Sequence, residues 1–379
     1  MLLKDVPGLN EEKAHLLESI HRGRNSHAQL FNGRSGTAAF SLALAYAQYL
    51  ACDSPSPQDS CGQCASCLQF DKLSYPDLHF SFPFARVAGA PRTLDCDFFM
   101  KDWMGFISNN TVFELGDWLQ NLDVSNKQAQ INVDESARII QKLNLKAYSG
   151  KSKFLLIYLP EYLHPSAANK LLKTLEEPSG DSIIILISED AEKLLQTITS
   201  RCQKLYIPRP SAEDLQQFLI KRGVDAEHAN SAITVAEGNI VQAQKIAEDS
   251  ERYLAFGQLF QNWMRGCYSA KVKEIFAFVD EFNALDKEAQ KESLRFFMQT
   301  LQIAFGAKTH GNSAQHPIYQ RLNFKLDGFA SVLHQVNAKM ALETLDKAIY
   351  DISRNGNVKI IMSDASFKFS NLLRIKEAS

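Results

Sequence analysis

The feature that most constrains the fold is an apolar run, a glycine turn and a long apolar segment within residues 28–50. Residues 28–32 have the pattern of a short buried strand. The turn Gly33-Arg34-Ser35-Gly36 follows, and residues 38–50 predict a buried helix. A strand, a glycine turn and a buried helix in this order begin many α/β nucleotide-binding folds.

This stretch keeps the frame of a phosphate-binding loop without its chemistry. A working loop, G-x-x-x-x-G-K-[ST], needs backbone N–H groups, a lysine for the β and γ phosphates, and a hydroxyl for magnesium. Gly33 and Gly36 stand where glycines belong, but Ala38, Ala39 and Phe40 occupy the positions expected for Gly, Lys and Thr. We therefore expect poor phosphate affinity and no independent ATPase activity. An ordinary glycine-containing turn is the alternative interpretation of this stretch.

A second group of apolar runs repeats the α/β theme. Residues 154–159 and 182–187 predict strands, and residues 165–176 predict a helix that ends before Pro178. Apolar runs without alternation are typical of central parallel strands that are covered on both faces. The first of these strands ends in Tyr158-Leu159-Pro160-Glu161, where an ATPase would carry magnesium-binding acids. Glu161 falls two positions late for that role, which is a second loss in the same mechanism.

Length and patterning predict more than one domain. The chain has 379 residues, and strand-like runs stop after Pro208 and Pro210. We predict an α/β domain over residues 1–209, with a cysteine module at 52–67 and an aromatic-rich insertion at about 82–130. Two all-helical regions are predicted after it, over residues 210–250 and 251–379.

Four of the seven cysteines have the spacing of a metal site. Cys52, Cys61, Cys64 and Cys67 follow the pattern C-x8-C-x2-C-x2-C. Two-residue gaps let neighbouring thiolates converge on one tetrahedral ion at about 2.3 Å, and four thiolates leave no open position for catalysis. We predict one structural Zn²⁺ per chain. Unligated cysteines and an iron–sulfur cluster are the alternatives, whereas burial accounts for the isolated Cys96, Cys202 and Cys267.

Composition excludes some functions. The formal net charge is -2, which provides no general attraction to nucleic acid. The longest apolar stretch, residues 37–52, is shorter than the roughly 20 residues that span a bilayer. Residues 1–13 lack the apolar core of a secretory signal. We expect a cytoplasmic protein with no membrane partner.

Several segments together resemble a known family. They are His27-Ala28-Gln29-Leu30-Phe31, the cysteine module followed by Tyr75-Pro76-Asp77, the segment 167–178 that ends in Glu176-Glu177-Pro178, and Thr197-Ile198-Thr199-Ser200-Arg201-Cys202. Over about residues 1–85 and 131–250 the chain resembles the bacterial clamp-loader subunits of the DNA polymerase III holoenzyme, which are AAA+ proteins. Its loop is similar to that of the delta prime type and unlike that of the tau/gamma ATPase subunits.

The resemblance implies an architecture and a set of partners. Residues 1–209 would be the AAA+ domain, 210–250 a helical lid, and 251–379 a helical collar that joins the loader ring. The implied partners are the tau/gamma ATPase subunits, the delta subunit, the sliding clamp, and primer–template DNA through the complex.

The resemblance also implies roles for single residues. Arg201 would be an arginine finger that acts in trans on the ATP site of a neighbouring ATPase subunit. Ser200 and Cys202 would shape and pack its loop. Val241 stands where ATP-hydrolysing relatives place a nucleotide-sensing arginine, which is a third missing nucleotide contact.

Two other classes of function stay open on the sequence. One is an active AAA+ ATPase with a variant loop, and the other is a zinc-dependent DNA-binding protein outside replication. The insertion carries the aromatic residues Phe98, Phe99, Trp103, Phe106, Phe113 and Trp118. We favour an element that packs onto its own domain over a partner-binding patch. Its basic residues, Arg86, Arg92, Lys101 and Lys127, are too scattered for a DNA track.

Overall fold

The computed structural model describes residues 1–124, 127–311 and 317–375. The predicted insertion at 82–130 and the predicted collar at 251–379 therefore extend in part outside the described residues. The chain divides into two compact units. Unit 1 comprises Met1–Phe218 and Gly238–Gln242, and unit 2 comprises Leu219–Glu237 and Ala243–Ser379. A division into three domains at residues 209 and 250 stays a prediction.

Unit 1 contains a five-stranded parallel sheet. Its strands are β1 (Ala28–Asn32), β2 (Leu78–Ser81), β3 (Lys153–Tyr158), β4 (Ser182–Ser188) and β5 (Gln203–Tyr206). Their order across the sheet is β2-β3-β4-β1-β5, and every pairing is parallel. The predicted α/β fold class and the three predicted strands are confirmed. Strand β1 is an interior strand, because it lies between β4 and β5. The turn after it therefore lies at the carboxyl ends of the parallel strands, away from the two edge strands.

The helices of unit 1 cover this sheet. They are α1 (Asn10–His21), α2 (Ala39–Ala51), α3 (Ala65–Asp71), α4 (Cys96–Asn109), α5 (Leu115–Asn121), α6 (Val133–Asn144), α7 (Pro165–Glu176) and α8 (Gln196–Thr199). Single 3-10 turns span Leu3–Asp5, Pro160–Tyr162 and Ala191–Lys193. Every residue of helix α2 except Leu50 is buried. Its many alanines suit that position, because small side chains let a helix approach its neighbours closely on all sides.

The predicted aromatic insertion packs onto unit 1 through α4 and α5. Five of its six named aromatic residues are buried, and Phe98 alone among the six is half exposed, at 48%. Arg138 of α6 holds the start of α4, because it donates to Asp97, to Glu135 and to the Phe80 carbonyl. A buried guanidinium with oxygen partners on three residues fixes the insertion to α6 and β2.

Beyond Tyr206, all regular structure within the described residues is helical, as predicted. The helices are α9 (Ala212–Lys221), α10 (Ala226–Ala236), α11 (Ile240–Glu248), α12 (Ser250–Ser269), α13 (Val272–Asn283), α14 (Lys287–His310), α15 (Pro317–Arg321), α16 (Leu326–Ala330), α17 (Gln335–Ser353) and α18 (Val358–Leu372). Trp263 lies in the core of unit 2, with its ring centroid 4.5 Å from that of Phe369 and 5.0 Å from that of Phe278. Within the described ranges, no helix is long and apolar enough to cross a membrane.

Candidate functional site

The glycine turn after β1 is held against neighbouring segments through its two glycines. The Gly33 N–H donates to the Ser188 carbonyl at 3.0 Å, which ties the turn to the end of β4. A Cβ added to Gly33 would lie 2.8 Å from the Cβ of Ile207, so no larger residue fits there. Gly36 has φ +76°, in the left-handed region that glycine enters without strain.

A later segment of unit 1 covers this turn. The Ile240 N–H donates to the Gly36 carbonyl at 2.9 Å, and a Cβ added to Gly36 would overlap the Asn239 amide. Asn239 also donates to the Glu114 carboxylate at 3.1 Å and accepts from the Gln242 N–H at 2.9 Å. Residues 239 and 240 therefore lie directly against the glycine that a phosphate-binding loop would keep clear.

The positions expected for the lysine and the hydroxyl lie in an apolar core. Ala39 and Phe40 are each only 5% exposed. The Phe40 ring lies 5.0 Å from Phe113, 5.8 Å from Trp103 and 5.8 Å from Tyr158, measured between centroids. Two of these partners belong to the insertion. This cluster therefore provides neither a cation for phosphate nor an oxygen ligand for magnesium.

Glu161, which follows β3, stabilises the chain just after β4. Glu161 accepts from the backbone N–H groups of Glu189 and Asp190, at 2.9 and 3.3 Å, and so holds the chain as it leaves β4. Burial raises the pKa of Glu161. Tyr158 is buried, and its hydroxyl has no hydrogen-bond partner among the described residues. Glu161 thus stabilises the backbone after β4, in the segment where an ATPase would carry metal-binding acids.

Two carboxyl groups near the turn were not singled out by the sequence. Glu114 comes from the insertion, and Glu189 follows β4. Burial raises the pKa of Glu189 to about 7, although a hydrogen bond with Ser35 opposes the shift and the carboxylates of Glu114 and Glu161 add to it. Carboxylates beside this loop repel an anionic phosphate. The position of Glu189, directly after an apolar strand at the carboxyl edge, was the signal that could have identified it.

Arg201 lies at the surface between α8 and β5. Its Nε donates to Glu176 Oε1 at 2.6 Å, its Nη2 contacts the same oxygen, and its Nη1 donates to the Thr197 carbonyl at 2.8 Å. The side chain is 31% exposed. Its neighbour Cys202 is buried, which raises the pKa of the thiol to about 11 and leaves it unreactive at neutral pH. Val241, the other predicted position, is buried.

The four predicted cysteines converge. Their sulfur atoms all lie within 4.8 Å of one another, and the Cys52–Cys64 and Cys61–Cys67 pairs are each 3.9 Å apart. A tetrahedron with metal–sulfur bonds of about 2.3 Å has edges of about 3.8 Å. Backbone N–H groups of Cys61, Cys64 and Cys67 point at sulfur atoms of the cluster. The cluster can hold a metal ion.

The thiols differ in their tendency to ionise. N–H groups of Gln63 and Cys64 lower the pKa of Cys61 to about 6, whereas burial raises the pKa of Cys67 to about 12. A cation is therefore needed to hold all four groups as thiolates. This donor set fits a closed tetrahedral metal site.

Fold and site together define a class of protein. A parallel α/β domain carries a glycine turn after an interior strand, the turn has Ala39 and Phe40 where a phosphate-binding loop has its lysine and hydroxyl residue, and the regular structure beyond Tyr206 in the described chain is helical. These are the features of an AAA+ protein with a degenerate phosphate loop. A family profile described as "DNA polymerase III, delta subunit" matches residues 8–211, which is more than half of the chain. The chain belongs to this family.

Curated relatives agree with this assignment. The chain is 28% identical to the delta prime subunit of DNA polymerase III from Pseudomonas aeruginosa over 227 residues, which are 59% of this chain and 57% of the relative. It is 28% identical to the Escherichia coli delta prime subunit over 204 residues, 54% of this chain and 49% of the relative. The chain thus spans about half the length of these relatives.

Further similarities extend to tau and gamma-related proteins. The chain is 27% identical to the Bacillus subtilis tau subunit over 237 residues, 62% of this chain and 33% of the relative. A solved gamma-subunit-related protein from Thermotoga maritima aligns with 95% of this chain and 100% of its own, at 16% identity and a TM-score of 0.45.

Proposed function

We propose that this chain is a non-hydrolysing, delta prime type subunit of the replicative clamp loader. It presents Arg201 to the ATP site of a neighbouring ATPase subunit and helps to load the sliding clamp onto primed DNA. The observation that carries the proposal is a contrast within unit 1. Ala39 and Phe40, at the positions expected for the lysine and the hydroxyl residue, are buried, whereas Arg201, the group that can serve a neighbour, is 31% exposed.

The partners follow from the family. Relatives of this chain are named as delta prime and tau subunits of DNA polymerase III. The proposed partners are the tau/gamma ATPase subunits, the delta subunit and the sliding clamp, within the cytoplasm. Primer–template DNA is contacted through the complex, because a net charge of -2 gives the isolated chain little attraction for it.

The test is ATP turnover in the reconstituted loader. The full chain is combined with its ATPase subunit, delta, clamp and primed DNA, and assembly is checked by size-exclusion chromatography. Arg201→Ala is expected to lower the stimulated turnover by about 10-fold or more, because a finger stabilises charge on the transferring phosphoryl group. Arg24→Ala, at another exposed arginine, is the matched control. Unchanged turnover in the Arg201 variant contradicts the finger role, although the assignment as a clamp-loader subunit can survive.

The two other classes of function have their own signatures. ATP hydrolysis by the isolated chain that survives Arg201→Ala, but is lost on mutating residues 38–40, indicates an active ATPase with a variant loop. Strong, salt-sensitive DNA binding by the isolated chain indicates a DNA-binding protein outside replication.

The metal in the cysteine cluster is proposed to be zinc, with a structural role. Four thiolates at these spacings match the preference of Zn²⁺ and leave no position for a substrate. The cluster connects the end of α2 to α3, so the ion stiffens this part of unit 1.

Metal analysis tests this assignment. The purified chain is expected to contain about one zinc per chain, and Cys64→Ser is expected to release it and lower the unfolding temperature, since metal binding is coupled to folding. Cys267→Ser, at a buried cysteine of unit 2, should keep the full metal content. A full zinc signal in the Cys64 variant would place the metal at another site.

A further inference from the structure

We propose that Glu176 is a positioning residue for Arg201, an inference that rests on the function proposed above. Glu176 is the last residue of α7, and a single oxygen of its carboxylate contacts both Nε and Nη2 of the guanidinium. The Thr197 carbonyl accepts from Nη1. Two different elements therefore hold the same side chain.

The contacts fix which part of the guanidinium is available. Arginine has five N–H donors in a planar fork. One oxygen that contacts both Nε and Nη2 occupies the side edge of the fork, and the Thr197 carbonyl takes one donor of Nη1. Among the described residues, the other N–H groups of the two terminal nitrogens have no further partner. These donors can bind phosphate oxygens, a ligand that the arginine fork favours.

The support for Glu176 is rigid. Helix α7 begins with Pro165 at its first position and with the His164 ring accepting from the Ser166 N–H. Its apolar face, including Leu171 and Leu175, is buried in the core beneath the sheet. A carboxylate at the end of such a helix restricts the rotamers of a flexible arginine before the partner arrives.

The ion pair contributes little to folding. Glu176 is 48% exposed, and exposed ion pairs have small effects on stability. Loss of Glu176 should thus change the activity of the assembled loader and leave the fold intact. If Glu176 had a purely structural role, its loss would instead destabilise the fold of the isolated chain.

The experiment measures stimulated ATP turnover in the reconstituted loader at several ATP concentrations. Glu176→Ala is expected to lower kcat by about 10-fold with little change in KM, because the finger is displaced while the ATP site of the neighbour is intact. Glu176→Gln should recover part of this loss, since its amide oxygen still accepts from Nε. Glu177→Ala, which removes the same charge from the next exposed residue, should resemble the wild type.

The double variant separates this inference from the function it rests on. Arg201→Ala combined with Glu176→Ala should be no slower than Arg201→Ala alone, because Glu176 acts through Arg201. If Arg201→Ala lowers turnover and Glu176→Ala leaves it unchanged or raises it, the positioning role is wrong and the proposed function stands. If Arg201→Ala has no effect, the finger role and the positioning role are both wrong, whereas the assignment as a clamp-loader subunit can survive.

Discussion

At the scale of single residues, the contact between Gly36 and Asn239 supports the proposal that this loop does not bind phosphate. Glycines in such a loop keep its backbone N–H groups accessible, so that phosphate oxygens can approach them. Here Asn239 packs against Gly36 and donates to Glu114, so a side chain of the same unit takes the place of an approaching ligand. The loop is changed in its surroundings as well as in its sequence.

Replacing Gly36 tests this contact. Gly36→Ala and Gly180→Ala both place a Cβ on a residue with positive φ, but a Cβ at Gly180 has nothing within 4 Å. Gly180→Ala should cost about 1–2 kcal/mol of unfolding free energy through backbone strain alone. Gly36→Ala should cost about 1–3 kcal/mol more, because Asn239 must move and lose its hydrogen bonds. Urea denaturation measures both, and equal costs would show that the contact with Asn239 is unimportant.

Glu189 gives the fold a pH dependence. Its pKa in the folded chain is about 7, above the ordinary value of 4.5. The folded state thus binds more protons at Glu189 than the unfolded state between these values, so the contribution of Glu189 to stability is fully present below about pH 4.5 and is lost as the pH rises through about 7. The groups that face this carboxyl are Ser35, Glu114, Glu161 and Lys193.

Glu189→Gln should remove this dependence. The variant is expected to unfold at a higher temperature than the wild type at pH 8 and to show a flatter stability profile between pH 5 and pH 8, because the amide carries no charge to desolvate. Glu192→Gln, at an exposed acid of the same loop, is the control and should follow the wild type. Parallel profiles for Glu189→Gln and the wild type would contradict the assignment.

At the scale of elements, the sequence predicted what local patterns encode. Strands β1, β3 and β4 were recognised because they are interior strands, with apolar residues on both faces. Strands β2 and β5 were missed because each has four residues and lies at an edge of the sheet, and β5 is largely exposed. The spacing of the cysteines predicted their convergence because the gaps are short.

Other parts of the site could not be predicted from local patterns. Asn239 and Glu114 are 125 residues apart in the chain and meet only because two elements fold over the same turn. The pairing of Arg201 with Glu176 joins the ends of two helices in a similar way. Neither contact leaves a periodic signal in the sequence.

Helix α4 of the insertion is expected to be part of the core of unit 1. Trp103 is fully buried and contacts Phe40, Phe82 and Trp118. Trp103→Ala should destabilise the chain by about 3–5 kcal/mol, the range for a deleted buried aromatic side chain. Phe98→Ala, on the same helix but 48% exposed, should have a much smaller effect. Similar losses for the two variants in urea denaturation would argue against this core.

At the scale of the whole molecule, the two compact units are interleaved along the chain. Residues Gly238–Gln242 belong to unit 1, although the chain on both sides of them belongs to unit 2. This short segment carries Asn239 and Ile240, which contact Gly36. The covering of the phosphate loop therefore depends on a segment far outside the continuous α/β region.

We expect no measurable binding of ATP by the full chain. A ligand present at 100 times its Kd stabilises a folded protein by about 2.7 kcal/mol. About 1 mM Mg-ATP would therefore raise the unfolding temperature of a chain with a working ATP site. The unfolding temperature of this chain should be the same with and without Mg-ATP. The ATPase subunit of the same loader is the positive control. A clear ATP-dependent rise would show that the loop still binds nucleotide.

The burial of Phe40 bears on what would be needed to turn this loop into a working phosphate-binding loop. Threonine at position 40 would leave a cavity among Trp103, Phe113 and Tyr158, and a lysine at position 39 would have to enter a buried position. Asn239 would still cover Gly36 after both changes. Each of these changes alone should thus destabilise the fold without creating a phosphate-binding loop. A working loop is separated from this sequence by several substitutions, at positions 39, 40 and 239, that would be useful only together.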